Sequence, residues 1–269
     1  MISEMLSYDF IQRAFLGGVL VSLCAALLGV SLVLKRYSMI GDGLSHVSFG
    51  ALSIAIACGI APLKFAIPVV IVAAFLLLRL AENGKMRSDA AIAMVSASSL
   101  AIGVIVTSLT TGLSTDIYSY MFGSILAMSK DDVVVSGLLS VIVIIMFVVC
   151  YHKIFAVTFD ENFSKATGVK VGMYNTLISV FTAITIVVGI KMMGAMLISS
   201  LIVFPSLTSM RIFKSFKSVT ICSAILSVVN FTIVLICSYG FSIPAGASVV
   251  VANLIMYIIF AIVAKVKTM

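Results

Sequence analysis

Charged side chains are scarce in this sequence. Only 10% of its 269 residues are Asp, Glu, Lys or Arg, whereas 62% are hydrophobic. Soluble domains carry about 25% charged residues, so the composition excludes a soluble globular chain. The apolar residues form long continuous runs, which exclude a membrane β-barrel, because barrel strands show short alternating segments. The sequence therefore predicts an all-α protein, a polytopic bundle of transmembrane helices.

Several motifs are also missing, and each absence removes a class of function. The five cysteines form no Cys-x-x-Cys pair, so we expect no disulfide framework. There is no GxxxxGK[ST] motif for a nucleotide and no HExxH motif for an intramembrane metalloenzyme. The first 15 residues include Glu4 and Asp9, lack a basic opening and do not resemble a cleaved signal peptide. Because the nucleotide motif and the metalloenzyme motif are both missing, we expect no catalysis by this chain.

The apolar runs are long enough to cross a bilayer, since a span needs about 20 apolar residues. Only the stretch GIKMMG (189–194) marks the break between the sixth and seventh runs, so a count of eight spans also fits. No loop is long enough to hold a further domain, and residues 1–269 are predicted to form one membrane domain. The nine predicted spans are 10–34, 38–60, 62–79, 90–109, 133–151, 171–189, 193–210, 218–238 and 245–264.

The basic residues predict the orientation of the chain. The formal net charge is +7, which could suggest nucleic acid as a partner. With the N-terminus outside, however, only Arg13, Lys64, Lys130 and Lys191 of the 17 basic residues fall outside, and the other 13 fall on the cytoplasmic side. Such a bias is typical of inner loops of membrane proteins. We therefore expect an outer N-terminus and a cytoplasmic C-terminus, with lipid and not nucleic acid explaining the charge.

Two ionisable residues lie inside a predicted span, in the stretch MIGDGLSHVSFG (39–50). An ionisable group in the bilayer core costs about 2.5–3.5 kcal/mol on insertion scales, so such residues suggest function. Asp42 and His46 are four residues apart, which places them on one helix face about 6 Å apart. A carboxylate and an imidazole suit zinc, manganese or iron. The alternatives are a proton relay or a polar pair that stiffens the bundle.

The predicted inner loop contains a short helix in TFDENFSKATGVK (158–170). Asp160 can cap its N-terminus and Glu161 lies in its first turn, while Lys165 lies in its last turn and Gly168 can follow its C-terminus. A helix this short needs a partner surface. It is either an amphipathic turn on the membrane or a docking helix for a soluble protein. Its apolar residues near one face are Phe159, Phe163 and Ala166.

Four stretches, in order along nearly the whole chain, resemble the zinc/manganese (metal-ion) ABC transporter permeases. The loop resembles their coupling helix, FDxxFAxxxGV, and GDGLSHVSFGALSIA (41–55) resembles GDxLSHxxxxGxxxA. YSYMFGSILAMSKDDV (118–133) resembles their outer FGSxL segment. GAMLISSLIVFPSLTSM (194–210) resembles GxLLxxALLxxPxxTA.

This resemblance implies a fold similar to the vitamin B12-type (type II) ABC importers. It implies a permease homodimer in a prokaryotic cell membrane, a cytoplasmic ABC ATPase and an extracytoplasmic metal-binding protein. No cofactor would be permanently bound; the cargo would be Zn²⁺ or Mn²⁺, with Fe²⁺ a third choice. Asp42 and His46 would contact the metal, Ser45 would support them, and the segment 159–168 would couple to the ATPase. Pro205 matches the family's proline, which implies a bend that shapes the pathway.

A self-contained, proton-coupled secondary transporter is the main alternative, with Asp42 and His46 as its relay. The docking-helix signature separates the two, because a secondary transporter needs no cytoplasmic docking helix. Elsewhere, Asn230 and Asn253 lie within spans and predict an interhelical hydrogen bond.

Overall fold

The computed structural model describes residues 8–82, 88–110, 130–241, 243 and 245–268. Every regular element among these residues is an α-helix, as the sequence predicts. The helices are α1 (Asp9–Leu34), α2 (Ser38–Ala57), α3 (Pro62–Glu82), α4 (Ser88–Leu109), α5 (Lys130–Val149), α6 (Tyr151–Phe159), α7 (Glu161–Ala166), α8 (Val171–Met193), α9 (Ala195–Ile212), α10 (Phe216–Phe241) and α11 (Ala245–Thr268).

Each of the nine predicted spans corresponds to one long helix. Six of them, α1, α2, α4, α8, α10 and α11, are long and apolar enough to cross a membrane on their own. Helix α5 reaches that length only together with α6, while α3 and α9 contain shorter apolar segments, Pro62–Leu77 and Leu197–Ile212. Gly194, with φ 88°, separates α8 from α9. The described residues therefore hold six clear spans, or seven with the bent pair.

The segment after α5 differs from the expected loop. Residues Tyr151–Phe159 form helix α6, which meets α5 at an angle of 71°. The helix forms because Ile154 and Val157, three residues apart, turn one apolar face into the bundle, and both are fully buried. The short helix of the predicted coupling segment 159–168 is Glu161–Ala166. Phe159 ends α6, because Asp160 adopts an extended conformation and interrupts the helix.

Helices α1 and α2 form the centre of the bundle. Helix α1 packs against α5, α8, α9 and α10, whereas α2 packs against α3, α4 and α9. Helix α11 is held by α9 and α10, and only 11% of its span is buried. The interhelical hydrogen bond predicted for Asn230 and Asn253 joins α10 to α11: Nδ2 of Asn230 donates to Oδ1 of Asn253 at 2.8 Å. Helix α2, which carries the predicted ligands, is 72% buried along its span.

Candidate functional site

Asp42 and His46 lie on one face of α2, as their spacing predicts. The Asp42 Oδ2 and His46 Nε2 atoms are 3.7 Å apart, which is longer than a hydrogen bond. Oxygen and nitrogen ligands bound at about 2.1 Å to one tetrahedral ion lie about 3.4 Å apart. The two side chains can therefore reach a single ion with little movement. Neither is buried: the side chain of Asp42 is 49% exposed and that of His46 is 26% exposed.

Close packing on either side fixes the position of this face. Gly43, between the two residues, faces α4, where an added Cβ would lie 2.7 Å from Cγ2 of Ile92. A side chain at this position would require Ile92 to shift, so the glycine permits close packing of α2 against α4. The tight contact leaves α2 little freedom to rotate and so holds the carboxylate and the imidazole in place.

A cleft of about 600 Å³ opens beside Asp42. It is lined from α2 by Ser38, Met39 and Asp42, and from the other helices by residues of α9 and α11. His46 lies one turn further along α2. The carboxylate therefore borders a space large enough for a hydrated ion. The α9 and α11 residues of the lining are Ser199, Ser200, Val203, Phe204, Ala247, Val250 and Val251.

Ser45 supports the cleft from behind. Its hydroxyl donates to the carbonyl of Gly41 at 2.8 Å and lies 3.1 Å from Oγ of Ser199. Ser199 also lines the cleft, so this contact joins the helix of the predicted ligands to the opposite wall. No local pattern singles out Ser199, which lies 154 positions from Ser45. Pro205 follows the cleft residue Phe204 within α9, and the bend expected there remains a prediction.

The chain offers only part of a metal's ligand set. Among the described residues, no group of three or more His, Cys, Asp or Glu side chains could hold an ion. Asp42 and His46 would give a bound ion two ligands, and the remaining positions would need water, backbone oxygen or another subunit. Incomplete coordination favours release over storage, as transport requires.

The short helix α7 has the predicted caps. Asp160 accepts a hydrogen bond from the backbone N–H of Phe163 at 2.9 Å, while Glu161 and Lys165 occupy its first and last turns. At the C-terminus, Gly168 has φ 83° and donates to the carbonyl of Lys165, and Val169 donates to that of Ser164. These two bonds form a Schellman motif, and glycine suits its left-handed position. Local sequence alone thus defines both ends of α7.

Two aromatic side chains are exposed around α7. Phe159 is 59% exposed and Phe163 is 64% exposed. Phe159 is supported from behind, since its ring lies 5.0 Å from that of Phe155 and 6.2 Å from that of Phe216. Ser164, the residue after Phe163 in α7, is fully buried. The helix therefore turns Ser164 towards the bundle and leaves the ring of Phe163 exposed.

Lys35 anchors α7 to the bundle, a contact that sequence reasoning missed. Its Nζ atom lies 2.7 Å from Glu161 Oε1 and 2.5 Å from Asn175 Oδ1. Asn175 in turn donates to Glu161 Oε1 at 3.1 Å. We name these three side chains the Lys35 ring. Burial alone would raise the pKa of Glu161, but hydrogen bonds from Lys35 and Asn175 and the charge of Lys35 outweigh it and lower that pKa.

Two relatives match this chain over nearly their whole length. The chain is 30% identical over 247 residues to the high-affinity zinc uptake system membrane protein ZnuB of Buchnera aphidicola, covering 91% of this chain and 94% of that one. It is 25% identical to the manganese import system permease protein ScaB of Streptococcus gordonii, covering 94% and 90% of the two chains.

A chain of known structure has a similar fold. In the complex of PsaBC from Streptococcus pneumoniae with a Fab, one chain matches with a TM-score of 0.86 and 26% identity, over 97% of this chain and 95% of that one. The sequence model of the ABC 3 transport family matches residues 7–264. Because that match spans nearly the whole sequence, the chain belongs to the ABC 3 transport family.

Proposed function

We propose that this protein is the membrane-spanning permease subunit of an ATP-driven importer of a divalent transition-metal ion, with Zn²⁺, Mn²⁺ and Fe²⁺ as the candidate cargoes. One observation carries the proposal: Asp42 and His46 lie 3.7 Å apart, and Asp42 borders a cleft inside an apolar bundle. The zinc and manganese systems among the relatives support the same cargo class.

The energy source is a separate ABC ATPase at the cytoplasmic face. Membership of an ABC transport family supports this choice over a proton-coupled secondary transporter. The exposed Phe163 on the capped helix α7 provides an apolar residue for a groove on the ATPase. An extracytoplasmic metal-binding protein delivers the ion to the other face. The predicted outer-loop motif, 118–133, lies mostly outside the described residues.

A second copy of the permease completes the pathway. Each chain presents one carboxylate and one imidazole on the same face of α2, and two chains related by a two-fold axis would bring four ligands together. Four oxygen and nitrogen ligands fill a tetrahedral shell. The weakly buried helix α11, which lines the cleft, is available to a second subunit.

The predicted ligands can be tested in proteoliposomes that contain the permease and its ATPase. Asp42→Asn keeps the shape of the side chain but removes its charge, and His46→Ala removes the imidazole nitrogen. Since loss of a residue that only supports a ligand already costs about 10–100-fold in metal affinity, each variant should lower ATP-driven uptake of Zn²⁺ or Mn²⁺ at limiting metal by about tenfold or more.

Matched controls come from the same chain. Asp9→Asn and His152→Ala change the same residue types away from the cleft and should transport normally. Full uptake by either Asp42→Asn or His46→Ala at limiting metal, with normal expression, would exclude the paired-ligand site. Uptake that follows a proton gradient and continues without ATP would instead support the secondary transporter.

A further inference from the structure

The Lys35 ring joins three parts of the chain that are distant in sequence. Lys35 follows α1, Glu161 is in the first turn of α7, and Asn175 is in the second turn of α8. The side chain of Lys35 is only 7% exposed, so its charge is largely removed from water. A buried charge is tolerated only when it is paired and hydrogen-bonded, and here both partners are supplied. The ring is therefore a specific contact rather than a chance surface pair.

One end of the ring lies at the start of the helix that carries the metal ligands. After Lys35, Arg36 adopts φ 62° and donates from its backbone to Val33, while the N–H of Tyr37 donates to Leu32 at 2.8 Å. These bonds form a Schellman motif that closes α1 and sets the direction in which α2 leaves. Helix α2 starts at Ser38. Asp42 follows four residues later, about 6 Å along the helix axis.

The other end of the Lys35 ring is the helix that carries the exposed Phe163. A helix of six residues is not stable alone, so contacts with the bundle must set its orientation. Helix α7 packs against α6 and α8, and the ring adds the charged contact to the end of α1. Phe163 and Glu161 lie within one turn of α7, so a displacement of Phe163 also displaces Glu161. Glu161 in turn contacts Lys35 directly.

We infer that the Lys35 ring is the mechanical link that couples the docking helix α7 to the metal-ligand helix α2, so that movement of the ATPase changes the position of Asp42 and His46. The inference rests on the proposed function. Lys35, Glu161 and Asn175 are positioning residues, since none of them borders the cleft beside Asp42. The competing explanation is that the ring only stabilises the fold.

Single variants separate coupling from stability. Lys35→Met keeps most of the apolar stem and removes the ammonium group, and Glu161→Gln keeps the shape and removes the charge. Lys35→Met, which lies outside the docking helix α7, should assemble with the ATPase and keep basal ATP hydrolysis, whereas Glu161→Gln, on α7 itself, is compared only in complexes that assemble. The number of Zn²⁺ or Mn²⁺ ions moved per ATP should fall by about tenfold, within the range of coupling changes seen on mutation. Lys153→Met, an exposed lysine on α6 outside the ring, is the control and should not change that ratio.

A double variant that exchanges the two charges is the decisive test of coupling. Lys35→Glu combined with Glu161→Lys restores opposite charges across the same contact, so the ions moved per ATP should recover relative to either single reversal. Wild-type ions per ATP in Lys35→Met and Glu161→Gln would overturn the inference while leaving the proposed function intact. A loss of uptake only in proportion to lost protein in the membrane would show a structural role and also overturn it. If the wild-type complex moves none of Zn²⁺, Mn²⁺ and Fe²⁺ with ATP, the proposed function fails, and the coupling inference fails with it.

Discussion

At the scale of single residues, the two proposed ligands and the Lys35 ring differ in how far the sequence predicts them. Asp42 and His46 are visible because their four-residue spacing places them on one face of any helix. Lys35 and Glu161 are 126 positions apart, and Lys35 and Asn175 are 140 apart. No local pattern signals that pairing, because it depends on how α1, α7 and α8 pack. Before the fold is known, Lys35 is indistinguishable from the other basic residues of the inner loops.

The lowered pKa of Glu161 predicts a pH dependence of stability. A carboxyl group whose pKa is lower in the folded protein than in the unfolded chain contributes stability above the unfolded value, and this contribution is lost as the pH falls through the folded value. The ordinary value for Glu161 is 4.5. The Glu161 contribution to stability should therefore be complete at neutral pH and disappear on acidification below about pH 4.5.

Thermal unfolding of the purified protein in detergent between neutral and acidic pH checks this expectation. Glu161→Gln should start less stable than the wild type at neutral pH and lose less stability on acidification, because it has no proton to take up at this site. Asp9→Asn serves as the control, as its exposed side chain lies outside the ring and should keep the wild-type pH slope. If the thermal stability of the wild type and of Glu161→Gln changed equally with pH, the assignment of a lowered pKa to Glu161 would be contradicted.

At the scale of elements, the sequence predicts the features that depend on hydrogen bonds between neighbouring residues. The caps of α7 follow from Asp160 and Gly168, whose side chain and backbone freedom act within a few residues. The sharp bend between α5 and α6 does not follow from the sequence, because an apolar run continues through Cys150 without Pro or Gly. Burial of Ile154 and Val157 stabilises α6, and that burial exists only in the folded bundle.

The exposed face of α7 predicts the effect of a charge at Phe163. In a docked complex this side chain would enter an apolar groove, and Phe163→Asp would bury an unpaired carboxylate there. Truncation of a central interface residue commonly costs about 2 kcal/mol or more, and a buried charge adds to that loss. Phe163→Asp should therefore dissociate the ATPase from the permease during purification, as measured by the ratio of the two proteins in size-exclusion chromatography.

A second aromatic residue controls for surface charge. Phe241 is 75% exposed at the end of α10, and it lies on the face opposite to α7 by the predicted topology. Phe241→Asp should leave the complex intact. If Phe163→Asp also gives an intact complex with normal transport, α7 is not the docking helix, and an amphipathic turn on the membrane becomes the better interpretation.

At the scale of the whole molecule, contacts between distant loops bear on orientation. Lys35 contacts Glu161, and the ring of Phe216 lies 5.2 Å from that of Phe155. The connections after α1, after α5 and after α9 therefore meet on one side of the bundle. The charge distribution assigns the same three connections to the cytoplasm, because they belong to the side with 13 of the 17 basic residues. The fold places these three loops on one side of the bundle, and the charge bias predicts that this side is cytoplasmic.

Cysteine accessibility provides a direct test of this orientation. Ser164 is unsuitable as a reporter, since it is fully buried in the bundle. Lys153 and Lys165 are exposed on the side of α6 and α7, whereas Lys64 is exposed at the start of α3. In a background without the five natural cysteines, Lys64→Cys should react with a membrane-impermeant maleimide in intact cells. Lys153→Cys and Lys165→Cys should react only after permeabilisation.

The pair of inner reporters separates orientation from docking. Lys165 lies on α7 itself, so a bound ATPase would shield it, whereas Lys153 lies on the preceding helix. Labelling of Lys153→Cys but not of Lys165→Cys after permeabilisation would still give the expected orientation and add a footprint of the ATPase. Labelling of both inner positions in intact cells, with Lys64→Cys protected, would reverse the orientation. Helix α7 would then lie outside the cell, beyond the reach of ATP, and the docking helix, the coupling ring and the direction of transport would all have to be abandoned.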